Sequence, residues 1–404
     1  MPGPSHRPVP SPADPPHREP VSGLLYDPRF RSWCIQVAVL VAILVTLSLA
    51  AVNTAYNLKK AGIASGFGFL AQLAGFDISQ SLIAYSRTSS YGRAFWVGLL
   101  NTLLVSGVSI VLSTLLGFLV GVLRLSGNWL VSRLAYAYID VVRNIPLLLQ
   151  LLFWYMAILN PLPGPNRALA LHGTVFLCNR GLIVPRPIFG PGSEVVALAV
   201  VLAVFIAAAV VIVGKRHQRS TGKRFPVLSG AAAGLIGLPF LALAATGFPF
   251  HWEVPVLEGF NFSGGLTLLP EFTALVLGLT LYTAAFIAEN VRAGIQAVPR
   301  AQIEAARALG LRPSMTLRLV VIPQALRVII PPLTSQHLTL VKNSSLAVVI
   351  GYPDLMSVFA GTALNQTGQA VEIIAITMLV YLTVSLTISA VMNWYNARLA
   401  IRER

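Results

Sequence analysis

Residues 94–123 read AFWVGLLNTLLVSGVSIVLSTLLGFLVGVL, thirty positions from Ala94 to Leu123 without one charged side chain. A hydrocarbon core roughly 30 Å thick is crossed by about 20 apolar residues in a helix, so this run spans it with length to spare for tilt. Seven further segments read as spans: Cys34–Val52, Asp140–Leu159, Val195–Val213, Phe225–Ala245, Phe272–Ala288, Leu333–Gly351 and Ile373–Trp394. Of the 404 residues, 55% are apolar and only 11% charged, whereas soluble domains carry about 25% charged residues. The expected fold is therefore all-α, a polytopic membrane protein with about eight transmembrane helices.

A net charge of +15 would suggest a nucleic-acid partner in a soluble chain. In a membrane protein the test is whether Lys and Arg collect on alternate loops, because basic residues resist translocation. With the N-terminus inside, 21 of the 29 fall on the cytoplasmic side, and Lys342 falls within a span. That bias predicts both termini inside and accounts for the charge without nucleic acid. Residues 1–32 are proline-rich and read as a disordered cytoplasmic tail, residues 33–93 as the first span with an outer segment, and residues 94–404 as the main transmembrane body. The first apolar run starts too late and runs too long for a secretory signal, although Ser48-Leu49-Ala50 weakly imitates a cleavage site. Cys34 and Cys178 fall on opposite sides of the membrane and read as inert small apolar residues.

Catalytic signatures are missing. Gly214-Lys215 and Gly222-Lys223 lack the rest of a G-x-x-x-x-G-K-[ST] loop, and no H-E-x-x-H, C-x-x-C or G-x-S-x-G occurs. Neither a catalytic residue nor a metal site is expected. Gly117 and Gly121 form a G-x-x-x-G, which close helix packing and chance explain equally well.

The loop from Arg292 to Pro332 is basic and patterned. Pro299 and Gly310 bracket a short helix, Arg300–Leu309, by the proline-first, glycine-last asymmetry. Pro313 opens a second helix expected to stop before Pro323. Ile303, Ala306 and Leu309 recur along one narrow face of the first helix, suited to a groove on another protein. Glu304 reads either as an interface anchor or as a surface carboxylate paired with Arg300 or Arg307.

Glu304-Ala305-Ala306, three residues, Gly310, nine residues, then Val320-Val321-Ile322-Pro323 resembles the EAA loop of ABC importer permeases. Tyr282 to Glu289, Pro323-Gln324-Ala325-Leu326-Arg327, Lys342-Asn343-Ser344-Ser345-Leu346 and Val142 to Gln150 resemble the polar amino-acid branch of these permeases. Gly75-Phe76-Asp77-Ile78-Ser79-Gln80 and an insert at about 160–270, with two extra helices, are similar to the general L-amino-acid permeases of the Aap/Bzt type.

The resemblance implies a type I ABC importer permease core in the bacterial inner membrane, working by alternating access. It implies that Glu304, Ala305, Ala306, Gly310 and Pro323 couple the chain to separate ATPase subunits, which would carry ATP-Mg, this chain binding no cofactor. Further implied partners are a second, non-identical permease and a periplasmic amino-acid-binding protein, with lipid around the spans. Asn144 and Pro146, and Lys342, Asn343, Ser344 and Ser345, interrupt two spans; transporters place substrate where helices break, and packed kinks are the alternative. Glu289 is expected to interact with Arg292 near a helix end. The rival reading is an ion-gradient-driven secondary transporter of small polar solutes, which calls for an inverted repeat and midplane carboxylates, neither of which the sequence displays.

Overall fold

Apolar runs become helices because a backbone in lipid has to satisfy its hydrogen bonds within its own segment. The computed structural model describes residues 28–60, 65–221 and 227–399, is 73% helix, and divides into two units, Met1–Gly66 and Phe67–Arg404. The first unit holds α1 (Pro28–Lys60), with apolar side chains such as Leu40 and Leu44 exposed. Most of the proline-rich tail, residues 1–27, lies outside the described residues. Residues 28–32, expected in that tail, already belong to the helix; proline's fixed φ suits a first turn.

In the second unit α2 (Tyr91–Leu123) is followed by α3 (Trp129–Asn144) and α4 (Leu147–Leu152), the last running on as a π-helical turn to Leu159. The helices on either side of Ile145–Pro146 meet at 106°. Proline lacks the N–H needed to continue the ladder and drives Ile145 to extended backbone, φ −100° and ψ 129°. Gln150 makes the break tolerable, its Nε2 donating to the freed carbonyls of Val142 and Ile145 at 2.8 and 2.9 Å. The third expected span is thus a bent pair.

The insert is not purely helical. It runs β1 (Leu169–Leu171), β2 (Val175–Cys178), β3 (Gly181–Val184), β4 (Arg186–Phe189), α5 (Ser193–Thr221), α6 (Val227–Ala245), β5 (Phe250–Glu253), β6 (Val256–Glu258), β7 (Asn261–Ser263) and β8 (Leu266–Leu268). One antiparallel sheet has the order β1-β2-β3-β8, and β4–β5 and β6–β7 form ribbons, while α5 packs on α6. Strands of three or four residues are too short for a period-two pattern to register, which is why only the helices were readable.

The chain continues through α7 (Pro270–Gln296), α8 (Arg300–Ala308), α9 (Pro313–Thr316), a π turn at Leu317–Val321, α10 (Ile322–Asn343), a 3-10 stretch at Ser344–Ile350, a π turn at Met356–Ala363, α11 (Leu364–Thr367) and α12 (Ala370–Leu399). Among the described residues six helices are long and apolar enough to cross a membrane, seven if the bent pair counts as one. The fifth expected span, Phe225–Ala245, is among the described residues only a shorter apolar helix, α6.

The core is built where α2 lies along α7. Val105, Leu151, Leu275, Leu279 and Tyr352 are fully buried in one cluster, and Phe69, Leu355 and Phe359 in another. Gly117 and Gly121 allow the close approach: a Cβ on either would stand 3.0 Å from the Ala284 carbonyl or 2.8 Å from that of Ala288. Packing, not chance, explains that G-x-x-x-G. The fully buried Asn101 donates to the carbonyls of Gln80 and Pro353 at 2.8 and 2.9 Å, and Thr102 Oγ1 accepts from the Leu355 amide at 2.9 Å. A polar group inside an apolar span is expensive unless hydrogen-bonded, and here the Asn101 Nδ2 and Thr102 Oγ1 bonds tie α2 to the connection between α10 and α12.

Candidate functional site

α8 ends as its sequence demands. Gly310 takes a left-handed φ of 74°, the Leu311 amide reaches back to the Ala306 carbonyl at 3.2 Å, and the Gly310 amide to that of Arg307 at 2.9 Å, the paired bonds of a Schellman cap. Glu304 and Ala305 are exposed, while Ala306 is buried. Among the described residues Glu304 has no ion pair, so the alternative of a surface carboxylate paired with Arg300 or Arg307 is not formed. Ile303 packs with Val298 and Val321, whereas Leu309 is 81% exposed. The narrow face read from the sequence is therefore split: its first half packs on this chain, and its end, together with Met315, Leu317 and Leu319, leaves apolar surface open beside a free carboxylate.

Pro323 does not stop a helix. The π turn at Leu317–Val321 supplies an extra residue just where the proline ring would meet the carbonyl of the preceding turn. Pro313–Ile350 then runs as one 38-residue helical stretch, so the expected loop boundary at Pro332 lies inside α10.

At the second break Ser344 is buried and donates to the Val341 carbonyl at 2.7 Å, while Ser345 donates to that of Lys342 at 2.7 Å. These hydroxyls serve the change from α to 3-10 geometry. Asn343 is half-buried and Lys342 exposed. Asn144 and Pro146 are exposed at the first break. The two breaks are neighbours, because α4 packs on the 3-10 stretch, with Leu147 and Leu151 sharing a cluster with Ala347 and Ile350.

Asn144 also lines a cavity of about 460 Å³ between the end of α2, α3 and the last turns of α7. Glu289 and Arg292 meet there as expected, in a two-pronged pair with contacts at 3.0 and 2.5 Å. Arg143 lies 5.0 Å above the Phe286 ring and Arg124 4.5 Å above that of Tyr136. In the sequence Arg124 reads only as an inside charge and Arg143 as an inside charge within the Val142–Gln150 resemblance; Asp140, which joins them, carries no signal beyond being a carboxylate at the edge of a span.

Away from the spans, Arg87 hydrogen-bonds the exposed Asp77 and holds its carboxyl below the usual range. Asp354, in the connection between α10 and α12, is pushed up to about 7 by burial, although the Ser357 amide and the Tyr381 hydroxyl donate to it. Cys34 and Cys178 are free thiols. Among the described residues no group of three His, Cys, Asp or Glu is placed to hold a metal.

The chain is a multi-span helical membrane protein that presents a capped, charged helix with open apolar surface. Residues 225–402 match the binding-protein-dependent transport system inner membrane component family. The chain is 54% identical to the ABC transporter permease protein YhdX of Escherichia coli (strain K12), over 94% of this chain and 96% of that one. It is 50% identical to the general L-amino acid transport system permease protein AapQ of Rhizobium johnstonii, over 94% and 95%, and 43% identical to the glutamate/glutamine/aspartate/asparagine transport system permease protein BztB of Rhodobacter capsulatus, over 95% and 97%. A crystal structure of an amino acid ABC transporter with histidines aligns with 76% of this chain and 95% of its own at a TM-score of 0.46 and 24% identity. The chain belongs to the amino-acid ABC transporter permeases.

Proposed function

We propose that the chain is the subunit through which L-amino acids enter a bacterial cell across the inner membrane, with both termini inside. Cargo arrives from a periplasmic amino-acid-binding protein. Energy comes from ATP-Mg on separate ATPase subunits that dock on α8, and a second, non-identical permease completes the path. This chain carries out no hydrolysis of its own. The observation that carries this reading is the exposed, ion-pair-free Glu304 on a helix whose Gly310 cap holds it beside the open apolar side chains Leu309, Met315, Leu317 and Leu319. Ala305 gives that surface a low profile; Ala306 and Pro323 act from beneath, anchoring α8 to α10. Asn144, Pro146, Lys342, Asn343, Ser344 and Ser345 border the path where the two breaks adjoin. No ion-coupling carboxylate is needed, since the drive is applied from outside the bundle.

The test is gentle solubilisation of the tagged chain from its own membrane, comparing wild type with Glu304→Lys. An ATPase subunit and a second permease should copurify with wild type, and the ATPase should be lost from the variant. A chain that runs alone, with no effect of the substitution, refutes the reading.

A further inference from the structure

The hairpin of α5 and α6 divides its surface by residue size. Helices in lipid pack through small residues, and those of α5 are taken up by α6: Ala199 and Ala203 are buried, and Gly230 and Gly234 bring α6 up to Val210 and Ile206, 3.5 Å from each projected Cβ. What α5 leaves open is bulky, with Leu198, Val201, Leu202 and Phe205 exposed, the surface of a helix that faces lipid. At 1.5 Å per residue the apolar run Val195–Val213 covers about 28 Å, so Ser193 and Glu194 stand at one edge of the hydrocarbon layer.

At that edge the chain adds the β4–β5 ribbon, held to the helix ends where the Gly190 amide donates to the Pro249 carbonyl at 2.8 Å. Directly paired residues share a face of a ribbon and successive ones alternate. The register Pro187↔Trp252 and Phe189↔Phe250 therefore puts four apolar side chains on one face, while Arg186↔Glu253 and Ile188↔His251 give the other face three polar ones. The apolar face is turned to the hairpin: Phe189 and Phe250 line a groove of about 570 Å³ with Val196, Ala197 and Val200 of α5 and Leu243 of α6. Phe248 stands beside it, its ring 6.5 Å from that of Phe250, on a left-handed backbone of φ 55° that bulky residues rarely adopt. Of the groove's lining residues only Glu194 is charged, and among the described residues it has no ion pair. Exposed aromatic rings belong at the membrane–water boundary, and a carboxylate at the mouth of an apolar groove there calls for a cation joined to a hydrocarbon chain.

We propose that this groove binds one phosphatidylethanolamine molecule, an acyl chain lying along Val196 and Val200 beneath Phe189 and Phe250, and the headgroup ammonium meeting the Glu194 carboxylate. That ammonium donates hydrogen bonds which the quaternary head of phosphatidylcholine lacks, and phosphatidylglycerol offers no cation at all. Trp252 prolongs the aromatic face by two residues of strand, about 7 Å, at the level of the headgroups. The lipid fastens the insert to the bilayer surface. Under the orientation proposed above the site lies in the outer leaflet; its chemistry is the same in either leaflet.

The test uses the assembled transporter in phosphatidylcholine nanodiscs that contain a trace of phosphatidylethanolamine with a diazirine on its acyl chain, the labelled residues being mapped by mass spectrometry. Label should concentrate at Val196–Val200. Unlabelled phosphatidylethanolamine should displace it at a mole fraction about tenfold lower than phosphatidylglycerol does, the scale of a charge-assisted hydrogen bond. Glu194→Gln should make the two competitors equal while label still reaches the groove, a loss of preference that a loosened fold would not produce. Ala197→Trp, which fills the groove, should remove label there and leave it at Leu202 and Phe205. Even labelling along α5 without headgroup preference, or a preference unchanged in Glu194→Gln, refutes the proposal. So does a groove that label never reaches while Leu202 and Phe205 are labelled, the result expected of a protein partner seated there. The readout counts lipid in both leaflets and needs no ATP, so failure of the import reading or a reversed orientation leaves the site standing.

Discussion

Gly121→Ala should destabilise the bundle while the same substitution at Gly107, on the same helix, should not. A Cβ on Gly121 would stand 2.7 Å from Val291 Cβ, 2.8 Å from the Ala288 carbonyl and 2.9 Å from Val291 Cγ1, where ordinary carbon contacts lie at about 3.5–4.0 Å. Two of these neighbours are a backbone oxygen and a Cβ, which no rotamer change can move. α2 and α7 would have to part by about 1 Å, and overpacking of this kind costs roughly 1–3 kcal/mol, against a gain of about 0.5–1 kcal/mol for replacing glycine inside a helix. The net loss is about 1–2 kcal/mol. Gly107 has no heavy atom within 4 Å of its projected Cβ, so only the gain applies, and the two variants should differ by roughly 2 kcal/mol. Reversible SDS unfolding of the chain reconstituted in bicelles measures this directly. Adding Val291→Ala should not restore stability, since its Cβ stays in place. Equal shifts at both glycines, or full rescue by Val291→Ala, would refute the close-packing argument.

Gly310→Ala meets no atom within 4 Å, so its cost is the left-handed backbone alone, about 1–2 kcal/mol; amino-acid uptake should fall at unchanged expression, and Gly310→Asn should recover part of it. Asp354 has a folded pKa raised from 3.8 to about 7 by burial, so the fold bears the cost of ionising it above about pH 7 and is relieved as pH falls toward 4. That amounts to at most about 4 kcal/mol at 1.36 kcal/mol per unit. Wild type should therefore unfold at a higher SDS fraction at pH 5 than at pH 8 relative to Asp354→Asn, and parallel pH profiles of the two proteins would contradict this.

What could be read in advance was whatever depends on neighbours in the chain. Charge-free runs, the Pro299 start and the Gly310 end of α8 are local, and the Glu289–Arg292 pair spans one helical turn. Pro323 misled because the rule that proline ends a helix assumes a regular ladder; the π turn before it is a property of the whole stretch packed against α7, not of the proline. Ile303 and Leu309 share a helical face in sequence, but only Val298 and Val321, brought in by tertiary packing, decide that one is covered and the other free. The arginine cavity is less legible still. Arg124, Asp140 and Arg143 come from the ends of two helices, and Phe286 and Glu289 from a third more than 140 positions beyond Arg143, so their meeting is visible only once α3 is seen to cross α7.

The same crossing sets the cavity beside the first helix break, where Asn144 lines it. The stretch Pro313–Ile350 carries α8's neighbouring turn at one end and the second helix break at the other, about 57 Å of helix at 1.5 Å per residue. Ile329 presses on Gly294, clamping α10 to α7 next to the loop, and α7 carries Phe286 and Glu289 into the cavity. Ile303 of α8 packs on a cluster that draws on α7 through Ile287 and Val291 and on α10 through Ala325 and Ile329, so a displacement of α8 would reach both helices. The stretch has built-in points of give, the π turn at Leu317–Val321 and the pair Pro331–Pro332, where backbone bonds are already missing and bending is cheap. Stiff helix between soft points converts a push at one end into rotation of the segments between them. The segment beyond the prolines packs through Leu340 and Ala347 on Leu147 and Leu151, the helix that follows the Asn144–Pro146 break, so the cavity's α3 wall and its α7 wall are moved by different arms of one lever.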